Sequence, residues 1–384
     1  MSNFIPYGKH WVDKDDIKSV EEVLKSDFLV QGPCVEKFEK EICKYTGAKY
    51  CVAVSSGTAA LHLAVLALEI PAGSEGITTP NTFVASSNAL IYAEVKPIFA
   101  DIDEKTFCID PKEIEKRITK KTKVIIPVDF AGQPADMEKI SALAKKRKIY
   151  IVEDAAHAIG SRYADGSYVG SCKYSDLTCF SFHPVKTITT GEGGAITTND
   201  KKLYDRLMML RSHGITKDPN KLKKNPGPWY YEMQFLGFNY RLSDFQAALG
   251  LSQLKKLSGF VKKRRQIVNK YNKAFKDLPN LITPFEKEGA KSAFHLYVAQ
   301  IDFKKIGKSK KEFMEELKDR GVGTQVHYIP VYHQPYYKKN FVHKSKQFPV
   351  CEQYYRGALS LPLFPKMSEA DVNYVIKTIL ETVK

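Results

Sequence analysis

The apolar run Tyr50-Cys-Val-Ala-Val54 ends in Ser55-Ser-Gly-Thr58 and passes at once into a second apolar stretch, Ala59 to Leu68. A buried strand, a turn of small residues and a helix in that order constrain a chain strongly, because the strand needs covered faces and the helix supplies one. The order recurs. Lys123-Val-Ile-Ile-Pro-Val-Asp129 is followed by helical spacing from Asp136 to Lys148, then by another buried strand, Ile149-Tyr-Ile-Val-Glu-Asp154. Residues 14–26 and 33–46 also carry apolar positions at helical spacing. Strands alternating with helices of about 10–15 residues predict an α/β fold with a mostly parallel sheet covered on both faces. A ligand of such a sheet belongs beyond the carboxyl ends of its strands.

A chain of 384 residues exceeds what one core holds, roughly 250–300 residues. The pattern changes near residue 259, where a long basic helical stretch begins. The strand-like His295-Leu-Tyr-Val-Ala-Gln-Ile301 follows, then a helix at 309–320, a second strand-like run Thr324-Gln-Val-His-Tyr328 and a terminal helix at 368–383. Alternation in the second run sends Gln325 and His327 to one face and Val326 and Tyr328 to the other. This organisation predicts a large domain over residues 1–258 and a small α+β domain over 259–384. Lys217 to Trp229, rich in Gly, Pro and Lys, reads as an exposed loop.

An apolar share of 43% with 27% charged residues is ordinary for a water-soluble globular protein. No run of about 18 apolar residues occurs, and Met-Ser-Asn-Phe-Ile-Pro-Tyr7 lacks the basic-then-apolar plan of a signal peptide, so a cytoplasmic protein with no membrane partner is expected. Seven cysteines without a CxxC pair predict reduced thiols, with neither a disulfide framework nor a metal site. The formal charge of +16 falls mostly on helical stretches such as Lys139 to Lys148, Lys255 to Lys263 and Lys308 to Lys318. Interleaved with apolar positions, these read as solvated helix faces, and no nucleic-acid partner is expected.

One lysine stands apart. Lys186 sits between the alternating run Thr178-Cys-Phe-Ser-Phe182 and a loop dense in hydroxyls and glycine that ends in Gly191-Glu-Gly-Gly194. About thirty residues earlier, Asp154 closes a strand and is followed by Ala-Ala-His157. A dinucleotide site would need a GxGxxG turn before that acid, and none is present. The glycines after Lys186 do not match a P-loop either, which excludes that class of ATPase. Ser55-Ser-Gly-Thr58 at a strand-to-helix junction offers free amides and hydroxyls to a phosphate, and Ser181 adds a hydroxyl. Each feature alone has a plainer reading: a surface lysine, a turn cap, a helix cap. Together they supply what pyridoxal 5′-phosphate (PLP) requires, namely an amine, an acid for the pyridine nitrogen and phosphate donors. Burial near other cations lowers a lysine toward the neutral form this chemistry needs.

Along nearly its whole length the chain resembles the DegT/DnrJ/StrS-type nucleotide-sugar aminotransferases. The likeness is carried by Ser56-Gly-Thr-Ala-Ala-Leu61, Thr79-Pro-Asn-Thr-Phe83, Glu153-Asp-Ala-Ala-His157, Phe180-Ser-Phe-His-Pro-Val-Lys186, Gly191-Glu-Gly-Gly194, Arg211-Ser-His-Gly214 and Gly237-Phe-Asn-Tyr-Arg-Leu242. The resemblance implies the fold type I architecture of aspartate aminotransferase and a PLP-dependent transaminase. It implies that Lys186 holds the coenzyme covalently and shuttles protons, that Asp154 pairs with the pyridine nitrogen, and that His157 lies near the phenolic oxygen. Phe83 is expected to stack on the ring, and Gly57, Thr58 and Ser181 to bind the phosphate, with Asn239 reaching in from a second subunit of a homodimer. Pro184 departs from the small residue common in the wider family. Phe182 to Thr190, Val128-Asp-Phe-Ala-Gly132 and Thr324 to Tyr332 most resemble the transaminases of pseudaminic acid biosynthesis. That likeness implies a UDP-linked 4-keto-6-deoxy-N-acetylhexosamine as substrate, L-glutamate as amino donor, and sugar contacts from His183, His327 and Tyr328. A bacillosamine precursor, GDP-4-keto-6-deoxymannose, or a PLP-binding regulator are the alternative readings. Relatives that dehydrate carry histidine at the lysine position, and Lys186 argues against that reaction.

Overall fold

The computed structural model describes residues 4–342 and 344–383. Asp13 caps the first helix, α1 (Lys14–Leu24), by accepting from the amides of Asp15 and Asp16, and α2 (Pro33–Thr46) ends at Gly47 in the left-handed region, φ 85°. Both are amphipathic and pack against a later long helix. Among the described residues a seven-stranded sheet follows: β1 (Tyr50–Val54), β2 (Glu75–Thr78), β3 (Lys96–Phe99), β4 (Thr122–Ile126), β5 (Tyr150–Asp154), β6 (Leu177–Ser181) and β7 (Gly194–Thr198). Its order is β1-β7-β6-β5-β4-β2-β3. The strands from β6 to β3 pair in parallel, and β7 runs antiparallel to both β6 and β1. Helices α3 (Gly57–Ala67), α4 (Ala85–Tyr92), α5 (Pro111–Arg117), α6 (Met137–Arg147) and α7 (Lys201–Leu210) form the connections.

The central strands β6 and β7 are buried along their whole length, with Thr178 and Thr197 inside as well, because both faces are covered. Val52, Val54, Val124, Ile126, Val152 and Ile196 pack on the α3 side, whereas Cys51, Ala53, Ile125, Ile151 and Ala195 enter the core on the other. Register places the site. Val54 and Ser181 both pair with Gly194, and Asp154 pairs with Cys179, two residues before Ser181. The carboxyl ends of β1, β5 and β6 therefore meet at one edge, together with the start of β7.

After the small ribbon β8 (Ile215–Thr216) and β9 (Glu232–Met233), α8 (Asp244–Phe275) runs 32 residues. The antiparallel sheet β10 (Leu281–Ile282), β11 (Tyr297–Ile301) and β12 (Ala358–Leu361) packs with α9 (Lys310–Asp319), α10 (Pro335–Asn340), α11 (Pro349–Gly357) and α12 (Glu369–Thr382) in the C-terminal part. Residues 258 and 259 lie inside α8. Leu254, Leu257 and Phe260 of this helix enter the large core, and Ile267, Val268, Tyr271 and Phe275 enter the small one. Between them Arg264, fully buried, donates to the carbonyls of Phe294, His295 and Leu363 at 3.4, 3.0 and 2.9 Å. No helix among the described residues is long and apolar enough to cross a membrane.

Two expectations need correction. The first helix after β1 begins at Gly57 rather than Ala59. Residues 324–328 are not a strand: Gln325 forms one isolated bridge with Ser360, after which side chains take over the backbone groups. The Tyr354 hydroxyl donates to the His327 carbonyl, and the Tyr328 amide reaches Asn81 Oδ1 at 3.4 Å. The His327–Tyr328 peptide is cis. Gln325 is exposed while His327 is buried, so the period-two placement fails as well.

Candidate active site

At the end of β1 the Ser55 amide donates to the Tyr240 carbonyl at 2.8 Å. The Ser56 hydroxyl caps α3 by accepting from the Ala59 amide at 3.0 Å. Gly57 and Thr58 form the first turn, where helix amides lack partners within the helix. Gly57 is required by packing, since a Cβ there would meet Ser181 Cβ at 2.7 Å and its Oγ at 3.0 Å. Gly194 is pressed harder, with a Cβ falling 2.4 Å from the Ser56 carbonyl oxygen. The result is a positive helix end with the Ser181 hydroxyl beside it, which suits a phosphate.

Asp154 is 5% exposed at the end of β5. Ser86 Oγ donates to its Oδ2 at 2.6 Å and the Ala156 amide to its Oδ1 at 3.1 Å. Thr82 Oγ1 lies 2.7 Å from Ser86 Oγ. The single Ser86 proton serves the carboxylate, so Thr82 donates to Ser86. Burial raises the Asp154 carboxyl above its usual range, and the Ser86 and Ala156 bonds with the Lys186 charge hold it from rising further. Lys186 sits on the turn after β6, its amide donating to the His183 carbonyl at 2.9 Å. Burial lowers its ammonium to about 8, against the pull of the Asp154 carboxylate. A substantial share of this amine is therefore neutral in mildly alkaline solution.

His157 is buried between two partners: the Ala131 amide donates to Nδ1 at 3.2 Å and Nε2 lies 3.1 Å from the Tyr328 hydroxyl. Burial, with the Lys186 and His327 charges, drives its imidazole well below the usual histidine range. His327 bonds Ser360 Oγ through Nδ1 at 2.7 Å, and burial lowers it to about 3. Phe83 is 59% exposed, with its ring 6.3 Å from that of Tyr328.

Thus Asp154, His157 and His327 lie within electrostatic reach of Lys186, Tyr328 joins His157 and Phe83, and Ser181 abuts the Gly57–Thr58 turn. His183 and Asn239 are exposed, and the His183 backbone amide reaches Ser181 Oγ at 3.5 Å. Three contributors escape a sequence reading. Ser86 lies four residues after Thr82 on α4, the Ala131 amide comes from a loop, and Tyr7 brings its ring 5.3 Å from His327. The first had a weak signal in the hydroxyl spacing, whereas the other two depend on tertiary placement alone.

The residues present fit PLP. Asp154 is a buried acid bonded to a hydroxyl and an amide rather than ion-paired with a base, so it can take a pyridinium. The glycine-packed turn offers the phosphate donors, and the partly neutral amine of Lys186 lies within electrostatic reach of Asp154. Fold and site together define a PLP-dependent aminotransferase. The chain belongs to the DegT/DnrJ/EryC1/StrS aminotransferase family, whose sequence profile matches residues 11–380. It is 44% identical to the spore coat polysaccharide biosynthesis protein SpsC of Bacillus subtilis (strain 168) over 384 residues, covering 100% of this chain and 98% of SpsC. Helicobacter pylori PseC, an aminotransferase involved in the biosynthesis of pseudoaminic acid, superposes with a TM-score of 0.91 at 35% identity, covering 99% of both chains. The putative sugar aminotransferase Spr1654 of Streptococcus pneumoniae, solved in PLP and PMP forms, matches with a TM-score of 0.90 in each, covering 99% of this chain. The PLP form is 30% identical and covers 98% of that chain, and the PMP form is 31% identical and covers 99%. The chain is thus a sugar aminotransferase.

Proposed function

We propose that the enzyme transfers an amino group from L-glutamate to C4 of a UDP-linked 4-keto-6-deoxy-N-acetylhexosamine, in the cytoplasm and in pseudaminic acid biosynthesis. The likeness to PseC over 99% of both chains carries this reading. Bound PLP supplies the electron sink for the carbon being aminated. Around it, Asp154 keeps the pyridine nitrogen protonated, and Gly57, Thr58 and Ser181 hold the phosphate. His157 lies at the phenolic edge and Phe83 covers the ring. With the coenzyme bound, the Lys186 amine would accept a proton and return it during each half-reaction, a task suited to a group lowered to about 8. His183, His327 and Tyr328 face the sugar. Two half-reactions alternate, giving ping-pong kinetics.

A second copy of the chain completes the site on this reading. Asn239 is exposed and follows an exposed apolar run, Trp229, Tyr231, Met233 and Leu236, the kind of surface a partner covers. In the same proposal residues 1–258 form the coenzyme-binding domain and 259–384 the small domain, joined through α8.

The test is a panel of UDP- and GDP-linked 4-keto-6-deoxy sugars incubated with glutamate and analysed by mass spectrometry for the aminated product. Amination of the UDP-linked N-acetyl sugar is expected. Turnover confined to GDP sugars, or to sugars without the N-acetyl group, replaces the proposed substrate.

A further inference from the structure

The hydrogen bonds from Ala131 through His157 to Tyr328 have a fixed direction. A backbone amide can only donate, and that of Ala131 meets His157 Nδ1 at 3.2 Å. Nδ1 is therefore the bare nitrogen of the ring. Burial beside Lys186 and His327 keeps the imidazole neutral, so its one proton lies on Nε2. Nε2 in turn donates to the Tyr328 hydroxyl oxygen at 3.1 Å. Having accepted, Tyr328 keeps its own proton free, and among the described residues its hydroxyl makes no other hydrogen bond.

The surroundings hold this arrangement in place. Ala131 has φ 57°, a conformation uncommon for alanine, and Gly132 follows at φ 94°. A Cβ on Gly132 would lie 2.9 Å from the Phe294 nitrogen, 3.0 Å from the His295 nitrogen and 3.1 Å from the His157 carbonyl oxygen, so the loop bearing the donating amide is clamped against the His157 backbone. The Tyr328 ring is flanked by Phe83 and Phe130, each at 6.3 Å, and stacks on His157 at 6.1 Å. Its amide is tied to Asn81.

We propose that Tyr328 is a directed hydrogen-bond donor to an oxygen presented beside it, and that His157 and the Ala131 amide are the groups that fix the direction of its O–H. The acceptor is an oxygen lone pair, supplied by the keto sugar of the reading above, on which that source rests, or by the phenolic oxygen of the coenzyme. The polarity also decides which side chains can replace His157. Glutamine offers an oxygen to the Ala131 amide and an N–H to Tyr328, preserving the direction. A glutamate carboxylate accepts at both ends and draws the Tyr328 proton to itself.

The first measurement needs no sugar. Side-chain nitrogen-15 spectra of the histidine-labelled holoenzyme, with His157→Gln for assignment, are expected to show a protonated Nε2 and a bare Nδ1. A proton on Nδ1, or a charged ring, overturns the proposal. The second follows both half-reactions by stopped-flow absorbance in Tyr328→Phe, His157→Gln and His157→Glu. Tyr328→Phe is expected to slow the step with the keto sugar by about ten- to a hundredfold, the weight of a hydrogen bond to an oxygen gaining charge. Loss confined to that step assigns the acceptor to the sugar. Equal loss in both steps, with a moved pH midpoint of the coenzyme band, assigns it to the coenzyme. His157→Glu should match Tyr328→Phe, and His157→Gln should regain about tenfold of the difference. Parental rates in Tyr328→Phe, or equal rates in the Gln and Glu variants, sink the proposal. Should no keto sugar in the panel be aminated by the parent enzyme, the substrate reading fails, and the histidine spectra still decide the direction of Tyr328.

Discussion

Removing the Ser86 hydroxyl tests whether Asp154 acts as an anion. The bond is 2.6 Å long and buried, within the short range of O–H donors to carboxylates, about 2.5–2.7 Å. A hydrogen bond to a charged group contributes about 1.5–3 kcal/mol. In Ser86→Ala that stabilisation of the ionised form disappears, leaving the Ala156 amide and the Lys186 charge, and the carboxyl's ionisation constant falls by roughly ten- to a hundredfold. Burial has already raised the group, so the change adds to an existing trend. The acid limb of kcat/KM against pH should therefore move toward neutral pH, with little change on the plateau. Linkage gives a second reading. A carboxyl whose folded value lies above its unfolded one destabilises the native state once ionised. The coenzyme-free variant should thus melt below its parent at neutral pH, with the gap closing as acid protonates Asp154. Ser86→Thr, which keeps a hydroxyl, is the control. An unmoved acid limb in Ser86→Ala refutes the argument, because the shortest bond to Asp154 would then carry no electrostatic weight.

Lys186→Arg should abolish amination while leaving the circular-dichroism melt within a few degrees of the parent, since arginine stays charged and supplies no neutral amine. In coenzyme-free protein the lowering of Lys186 from 10.5 to about 8 means the unfolded chain binds the extra proton across that window, so stability should rise with pH through it. Lys186→Met should melt higher than the parent at pH 7 and lose that slope. Arg264→Ala strands three buried carbonyls and should cost about 3–5 kcal/mol, read from the urea midpoint; a loss below about 1 kcal/mol would show that water replaces the guanidinium. Mixing inactive Lys186→Ala with an impaired Asn239→Ala should regenerate activity in hybrid dimers, and proven subunit exchange without recovery would end the shared-site reading.

Local pattern sufficed where a single element carried the information. Tyr50–Val54 and the helix over 33–46 lie where the apolar spacing put them, because strand burial and helix period are properties of consecutive residues. Asp154 and Lys186 were legible for the same reason: one closes a strand, and the other follows one. Ser86 was not legible, since its value depends on how α4 lies against the end of β5. The run from Thr324 to Tyr328 misled for a physical reason. Its aromatic and branched residues fit a strand, but Asn81, Tyr354 and Ser360 meet its polar groups, and these come from distant parts of the chain. The Ala131 amide was invisible as well, because backbone donors leave no mark on composition.

The unbroken course of α8 limits how this enzyme can move. At about 1.5 Å per residue its 32 residues span about 48 Å, and the same rod is rooted in both cores. An α-helix without proline or π-bulge bends sharply at a Gly/Ser pair or an inserted side chain, and Ser258-Gly259 is such a pair inside α8, so swinging of the two halves is focused at the point where their sequences change character. Mechanical load or heat applied to the C-terminal core is transmitted along α8 to the large sheet, and the chain should unfold in one cooperative transition rather than shed its smaller half first.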